Sequence, residues 1–170
     1  MQLTAKEKSQ IKENITAEEI CIQKYQAYAN QAQDQEVADL FNNLADKERQ
    51  HAQTLNDLLN GKQQNQQQQS QQLNLNTAQQ QKNEMEVANA AMEAKNAQNS
   101  DSLSDRQLLQ DALMTEKYVS NSYDNSVLES ANQEVMQALE HIQQEEHQHK
   151  QQLFEMMNQK GWKTVNPANN

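Results

Sequence analysis

An all-α four-helix bundle built from two repeated antiparallel helical hairpins is the fold this sequence predicts, and three observations carry the prediction. Two glycines and one proline in 170 residues leave little material for a turn-rich β fold. Apolar residues recur at helical spacing in four separate stretches. Shifting the chain along itself by 98 residues brings Glu18 onto Glu116, Tyr25 onto Tyr123, Glu48 onto Glu146 and His51 onto His149. Val37 with Val135, Leu55 with Leu153, and Asp34-Gln35-Glu36 with Asn132-Gln133-Glu134 extend the repeat, as expected of halves with a common origin.

The elements follow in order. Thr4-x-x-Glu7 reads as a capping box, and Ile11, Ile15, Ile22 and Tyr25 give a first helix running to about Gln31. Asp34 then serves as N-cap for a second helix whose stripe is Val37, Phe41, Leu44, Leu55 and Leu58, stopped by Gly61. The short connection between them predicts an antiparallel hairpin over 1–61. Residues 62–102 read as a crossover: 11 of the 19 residues from Gln63 to Gln81 are Gln, and an Ala/Met/Glu segment with one weak helix around Met85 to Met92 follows. This tract is expected to tolerate shortening. Ser104 caps a third helix with Leu109, Ala112, Val119 and Tyr123 inward. Asn132 caps a fourth with Val135, Leu139, Ile142, Leu153 and Met156 inward, ended by Gly161. The second hairpin is thus 103–161, with a tail at 162–170, and the whole chain reads as one domain.

Composition excludes several partners. A net charge of −10 argues against nucleic acid and anionic membrane, since both reward clustered Lys and Arg. No apolar run approaches the roughly 18 residues of a membrane span, and Met1-Gln2-Leu3-Thr4 lacks a signal peptide's apolar segment, so synthesis in the cytoplasm without export is expected. The single cysteine, Cys21, cannot form an internal disulfide or an iron–sulfur or rubredoxin centre, and reads as a small buried helix residue.

The ligand-type residues fall on the apolar seams. Glu18 sits in the series 11, 15, 18, 22, 25, Glu48 and His51 in 37, 41, 44, 48, 51, 55, 58, Glu116 between Ala112 and Val119, and Glu146 and His149 in 135, 139, 142, 146, 149, 153, 156. Six ionisable groups aimed at one level of a bundle interior need compensation, and bound cations supply it most simply; a metal-free network of carboxylates sharing protons is the alternative. Residues three apart on a helix project to one side, so each Glu-x-x-His offers a carboxylate and an imidazole to one metal pair. Four carboxylates with two imidazoles suit iron or manganese, with zinc an adventitious occupant. Composition alone predicts about 0.4 Glu-x-x-His matches, and two in equivalent repeat positions exceed that. Tyr25 and Tyr123, seven residues after Glu18 and Glu116, can hydrogen-bond ligating carboxylates or simply pack. His141, His147 and Glu145 lie off the seam, the histidines facing solvent and Glu145→Ala expected to do almost nothing.

Leu40-Phe41 with Ala45-Asp46-Lys47-Glu48-Arg49-Gln50-His51-Ala52 resembles the second-helix motif of rubrerythrins and other ferritin-like proteins, and Glu18 with Tyr25 and Ala29 resembles their first-helix pattern. Thr115-Glu116-Lys117-Tyr118-Val119-Ser120 and the ending Gly161-Trp162-Lys163-x-Val165 are similar to the coat F family of bacterial spore coat proteins. The first resemblance implies a ferritin-like bundle holding two iron ions, with Glu18 and Glu116 terminal, Glu48 and Glu146 bridging, and His51 and His149 one to each metal. The two together leave open a spore coat component that scavenges iron or peroxide, a soluble di-iron oxidoreductase acting on Fe(II), O2 or peroxide in the cytoplasm, and a metal-free coat bundle. Other coat proteins or further copies of this chain are the expected partners, and electrons would come from another protein or from Fe(II).

Overall fold

Capping chemistry starts each helix, and glycines stop two of them. The computed structural model describes residues 2–62 and 103–163, which form α1 (Ala5–Gln31), α2 (Gln35–Leu59), α3 (Asp105–Leu128) and α4 (Gln133–Gln159). The Glu7 N–H donates to Thr4 Oγ1 at 3.2 Å, and the Thr4 N–H donates to Glu7 Oε2 at 2.8 Å, which completes the capping box. Asp34 and Asn132 accept from the N–H groups of Glu36 and Glu134, each at 2.9 Å. At the C-terminal ends of α2 and α4, Gly61 (φ 69°) and Gly161 (φ 71°) enter the left-handed region. The chain then turns so that the Lys62 N–H reaches Asp57 O at 2.9 Å and the Trp162 N–H reaches Met157 O at 2.8 Å.

The hairpins form one compact unit. Asn14 donates to Ser126 at 3.2 Å early in α1, and Tyr28 donates to Asp111 at 2.6 Å late in it, so α1 and α3 lie side by side and antiparallel. Lys160, just past α4, pairs with Asp34 and Glu36 at 2.6 and 2.5 Å, while mid-helix Lys47 pairs with Glu145 at 3.2 Å, so α2 and α4 are antiparallel too. Diagonally opposed α2 and α3 are therefore parallel. The end of α2 and the start of α3 sit at opposite ends of a bundle about 37 Å long, taking 25 helical residues at about 1.5 Å each. The expected Gln-rich crossover and its weak helix lie outside the described residues.

Two stripes differ from expectation by one residue. Cys21, 2% exposed, occupies the α1 seam in place of the predicted Ile22, which is only half-buried. Cys21 lies midway between Asn14 and Tyr28 at heptad spacing, on the side that α3 covers, so the buried sector of α1 is wider than a seam facing α2 alone. In α4 the stripe closes on Met157, 4% exposed, with Met156 half-buried. A straight helix drifts about 20° per heptad, and three heptads from Val135 that drift favours the later residue.

The repeat reaches into the turns. Glu7, 1% exposed, accepts from the N–H groups of Ala131 and Asn132 at 3.1 and 2.8 Å. Asp105, its counterpart in the other half, accepts from those of Gln33 and Asp34 at 2.9 and 2.8 Å. Each hairpin's first helix thus clamps the turn of the other hairpin. Burial works against ionisation of Glu7, but N–H donors from Thr4, Asn132 and Ala131 outweigh it and hold the carboxyl below its usual range. Replacing Glu7 with Ala removes a cap and strands two backbone donors, and should cost about 1–3 kcal/mol in urea denaturation. Exposed Glu13→Ala should leave the midpoint unchanged.

Candidate metal centre

Glu18 from α1, Glu48 and His51 from α2, Glu116 from α3, and Glu146 and His149 from α4 converge at mid-bundle, each at most 2% exposed. Their backbones are ordinary helix, and the seams of Leu44, Leu55, Leu109, Leu139, Ile142 and Leu153 above and below exclude water. His51 Nδ1 lies 3.0 Å from Glu48 Oε2, 3.0 Å from Glu146 Oε1 and 3.8 Å from Glu18 Oε2. His149 Nδ1 lies 3.3 Å from Glu48 Oε1, 3.8 Å from Glu116 Oε2 and 3.9 Å from Glu146 Oε1. The two imidazoles stack with centroids 5.5 Å apart.

These atoms sort into two overlapping donor groups, Glu18 with Glu48, His51 and Glu146, and Glu116 with Glu48, Glu146 and His149. In each group one atom per residue lies within 4.8 Å of every other. Glu48 and Glu146 belong to both. Each group alone holds one further carboxylate and one imidazole.

The outer oxygens are satisfied and the inner ones are not. Tyr123 donates to Glu18 Oε1 and Tyr25 to Glu116 Oε1, so each tyrosine holds the carboxylate of the other hairpin. Glu18 Oε2, Glu48 Oε1, Glu116 Oε2, Glu146 Oε1 and His149 Nδ1 are buried without an aligned hydrogen-bond partner. His51 Nδ1 and Glu48 Oε2 hydrogen-bond at 3.0 Å, whereas the approaches of His51 Nδ1 to Glu146 Oε1 and of His149 Nδ1 to Glu48 Oε1 have the distance of a bond without its direction. A buried polar atom left unpaired costs about 1–3 kcal/mol, so five facing one another are a strong destabilising element unless a cation binds them. The donor set therefore fits a pair of hard divalent ions.

Electrostatics follow from this crowding. Burial, reinforced by the Glu48 charge, pushes Glu18 up to about 8 and Glu146 well above the carboxylate range. Burial opposes ionisation of Glu48 as well, but the adjacent His149 and His51 imidazoles outweigh it and hold that carboxyl low. Burial alone would lower both imidazoles. Contacts with Glu116 and Glu48 instead raise His149 to about 9, and His51 is raised by Glu145, Glu146, Glu18 and Glu48. Burial and the neighbouring carboxylates keep the Tyr25 and Tyr123 hydroxyls and the Cys21 thiol protonated.

One expectation is corrected. Glu145 is not a bystander: its Oε2 lies 3.1 Å from His51 Nε2, and its side chain is only 20% exposed. The residue is off the α4 seam, but its carboxylate reaches past the helix edge to α2. His141 and His147 are exposed as expected, with His141 Nε2 3.6 Å from Glu145 Oε2. Tyr123→Phe should preserve helicity while weakening metal binding about tenfold in a chelator-competition titration, because Glu18 loses its orienting donor. Tyr118→Phe, at a hydroxyl on a residue 79% exposed, should change nothing.

Residues 104–166 match the model of the Coat F domain family, which covers α3, α4 and the turn beyond. Among solved structures, a two-domain protein from Anabaena variabilis containing DJ-1/ThiJ/PfpI-like and ferritin-like domains is similar, with a TM-score of 0.65 and 12% identity over 96% of this chain. The chain spans 39% of that protein's length. No curated protein matches the sequence. The chain folds as an all-α four-helix bundle similar to that structure, and its second hairpin is similar to the Coat F domain family. No helix among the described residues is long and apolar enough to cross a membrane.

Proposed function

We propose that this protein is a spore coat component whose bundle core holds two iron or manganese ions and scavenges iron or peroxide. The observation that carries the metal reading is the set of five inward-facing, unpartnered donor atoms, four carboxylate oxygens and one imidazole nitrogen, at the centre of an otherwise apolar core. The coat reading rests on the Coat F match over the second hairpin. Glu48 and Glu146 would bridge, Glu18 and His51 would complete one position, and Glu116 and His149 the other. Such a pair of ions, when bound, would supply redox chemistry toward peroxide or O2. The chain's own residues do the rest. Tyr25 and Tyr123 orient the terminal carboxylates, the apolar seams exclude bulk water, and the raised proton affinities of Glu18 and His149 provide groups that give up protons when cations enter.

The one cysteine cannot build a rubredoxin-type electron donor, so a catalytic cycle needs an external reductant or Fe(II) itself. This favours scavenging over a self-sufficient oxidoreductase. Elemental analysis of protein purified without a metal-binding tag tests the core of the reading: about two equivalents of iron or manganese per chain are expected. A protein that binds neither in stoichiometric amount is a metal-free bundle. Fractionation of purified spores tests the location, and its absence from the coat layer would favour the soluble oxidoreductase.

A further inference from the structure

We infer that the two metal positions are inequivalent, and that Glu145 makes the Glu18–His51 position the tighter one by holding His51 from behind. The inference rests on the dinuclear reading above, but its cause lies outside the six donors.

The repeat makes the two positions nearly interchangeable. Every donor has a counterpart in the other half, and so do both tyrosines and both turn clamps. The symmetry fails behind the histidines. His51 Nε2 faces Glu145 Oε2 at 3.1 Å, leaving Nδ1 turned toward Glu48 and Glu146. The position in the first half that corresponds to Glu145 is Lys47. A lysine cannot accept a hydrogen bond, so it offers His149 nothing. Among the described residues, the only carboxylates within 4.0 Å of His149 are Glu48, Glu116 and Glu146, all on its Nδ1 side. Instead, Lys47 Nζ reaches across to the same Glu145 at 3.2 Å, and His141 approaches that carboxylate at 3.6 Å. Glu145 is thereby held between α2 and α4.

A carboxylate accepting a ligand histidine's outer N–H does two things. It fixes the tautomer so that the inner nitrogen carries a lone pair, and it makes that nitrogen more basic. His51 has this support, whereas His149 must settle its tautomer and ring orientation without it. Glu145 is a positioning residue: it acts through His51.

The test is a titration of the metal-free full chain with Mn(II), counting free ion by electron paramagnetic resonance. Two steps separated by about tenfold or more are expected. Glu18→Ala should remove the tight step and Glu116→Ala the weak one. Glu145→Ala should weaken the tight step about tenfold and leave the weak step in place, and Glu145→Gln, which keeps an acceptor oxygen without the charge, should fall between. General damage to the bundle would shift both steps together. Lys47→Glu supplies His149 with a carboxylate at the repeat-equivalent position and should tighten the weak step. Two steps of equal affinity in the wild type, or a Glu145→Ala protein that loses both alike, overturns the inference. Failure of the wild type to bind any Mn(II), iron or zinc instead removes the dinuclear reading on which it rests.

Discussion

Glu146→Gln should make the metal-free protein more stable and the metal-loaded protein less so. Glu146 belongs to both donor groups, and its Oε1 is buried with no aligned partner. Without cations, burial and the nearby Glu48 charge make its ionised form unfavourable. The amide fills the same volume, carries no charge, and removes one member of a repelling cluster. A gain of about 1–3 kcal/mol in the metal-free state is expected. With metal the sign should reverse, because on the proposed reading the substitution removes a ligand shared by both donor groups. At metal 100-fold above its dissociation constant, one bound ion contributes about 2.7 kcal/mol, and most of that should vanish for the second ion. Thermal denaturation with and without excess Mn(II) reads both effects. Exposed Glu140→Ala on the same helix should alter neither curve. A substitution that lowers stability equally in both conditions would mean that Glu146 is a structural core residue rather than a ligand.

This opposition of signs explains how much of the molecule the sequence exposes. A buried carboxylate survives in a core only where something outside the core compensates it, so Glu18, Glu48, Glu116 and Glu146 on apolar seams are legible as a site from their spacing alone. Caps are equally legible, because Thr4, Asp34, Ser104 and Asn132 act within one turn of their own position. What escapes is chemistry between helices. Glu7 looks like an ordinary capping-box residue, yet its second oxygen clamps the turn between α3 and α4, over 120 residues away. The 98-residue shift pairs it with Asp105 and both turns with each other, so the repeat itself carries the signal. Glu145 fails differently. Helical phase places its Cα off the seam correctly, but a long side chain reaches a neighbouring helix whose distance phase does not contain. Cys21 in place of Ile22 has the same origin, since a helix packed against two neighbours buries a sector wider than one stripe.

The metal-free and metal-loaded proteins should respond to pH in opposite directions. Glu18 in the folded chain titrates at about 8 against an ordinary 4.5, so above pH 4.5 the folded state holds a proton that the unfolded state releases. Stability is therefore lost as pH rises from about 4.5 through about 8. His149, raised from 6.5 to about 9, contributes stability fully present below 6.5 and lost as pH climbs through about 9. Glu48 and Glu145 have depressed values, so their contribution is present above 4.5 and fades as pH falls. The metal-free protein should accordingly be most stable near about pH 5 and lose a few kcal/mol by about pH 8.5, since a tenfold change in proton affinity between folded and unfolded chains corresponds to roughly 1.4 kcal/mol. Cation binding requires these same groups to release their protons, so affinity should rise over that interval and hold the loaded protein's melting temperature level or increasing. Mixing metal-free protein with Mn(II) in unbuffered solution at pH 7 should release more than one proton per chain. A metal-free melting temperature that rises between pH 5 and 8, or binding with no proton release, would mean that the core glutamates are already ionised and compensated within the protein, and that the bundle needs no cation at its centre.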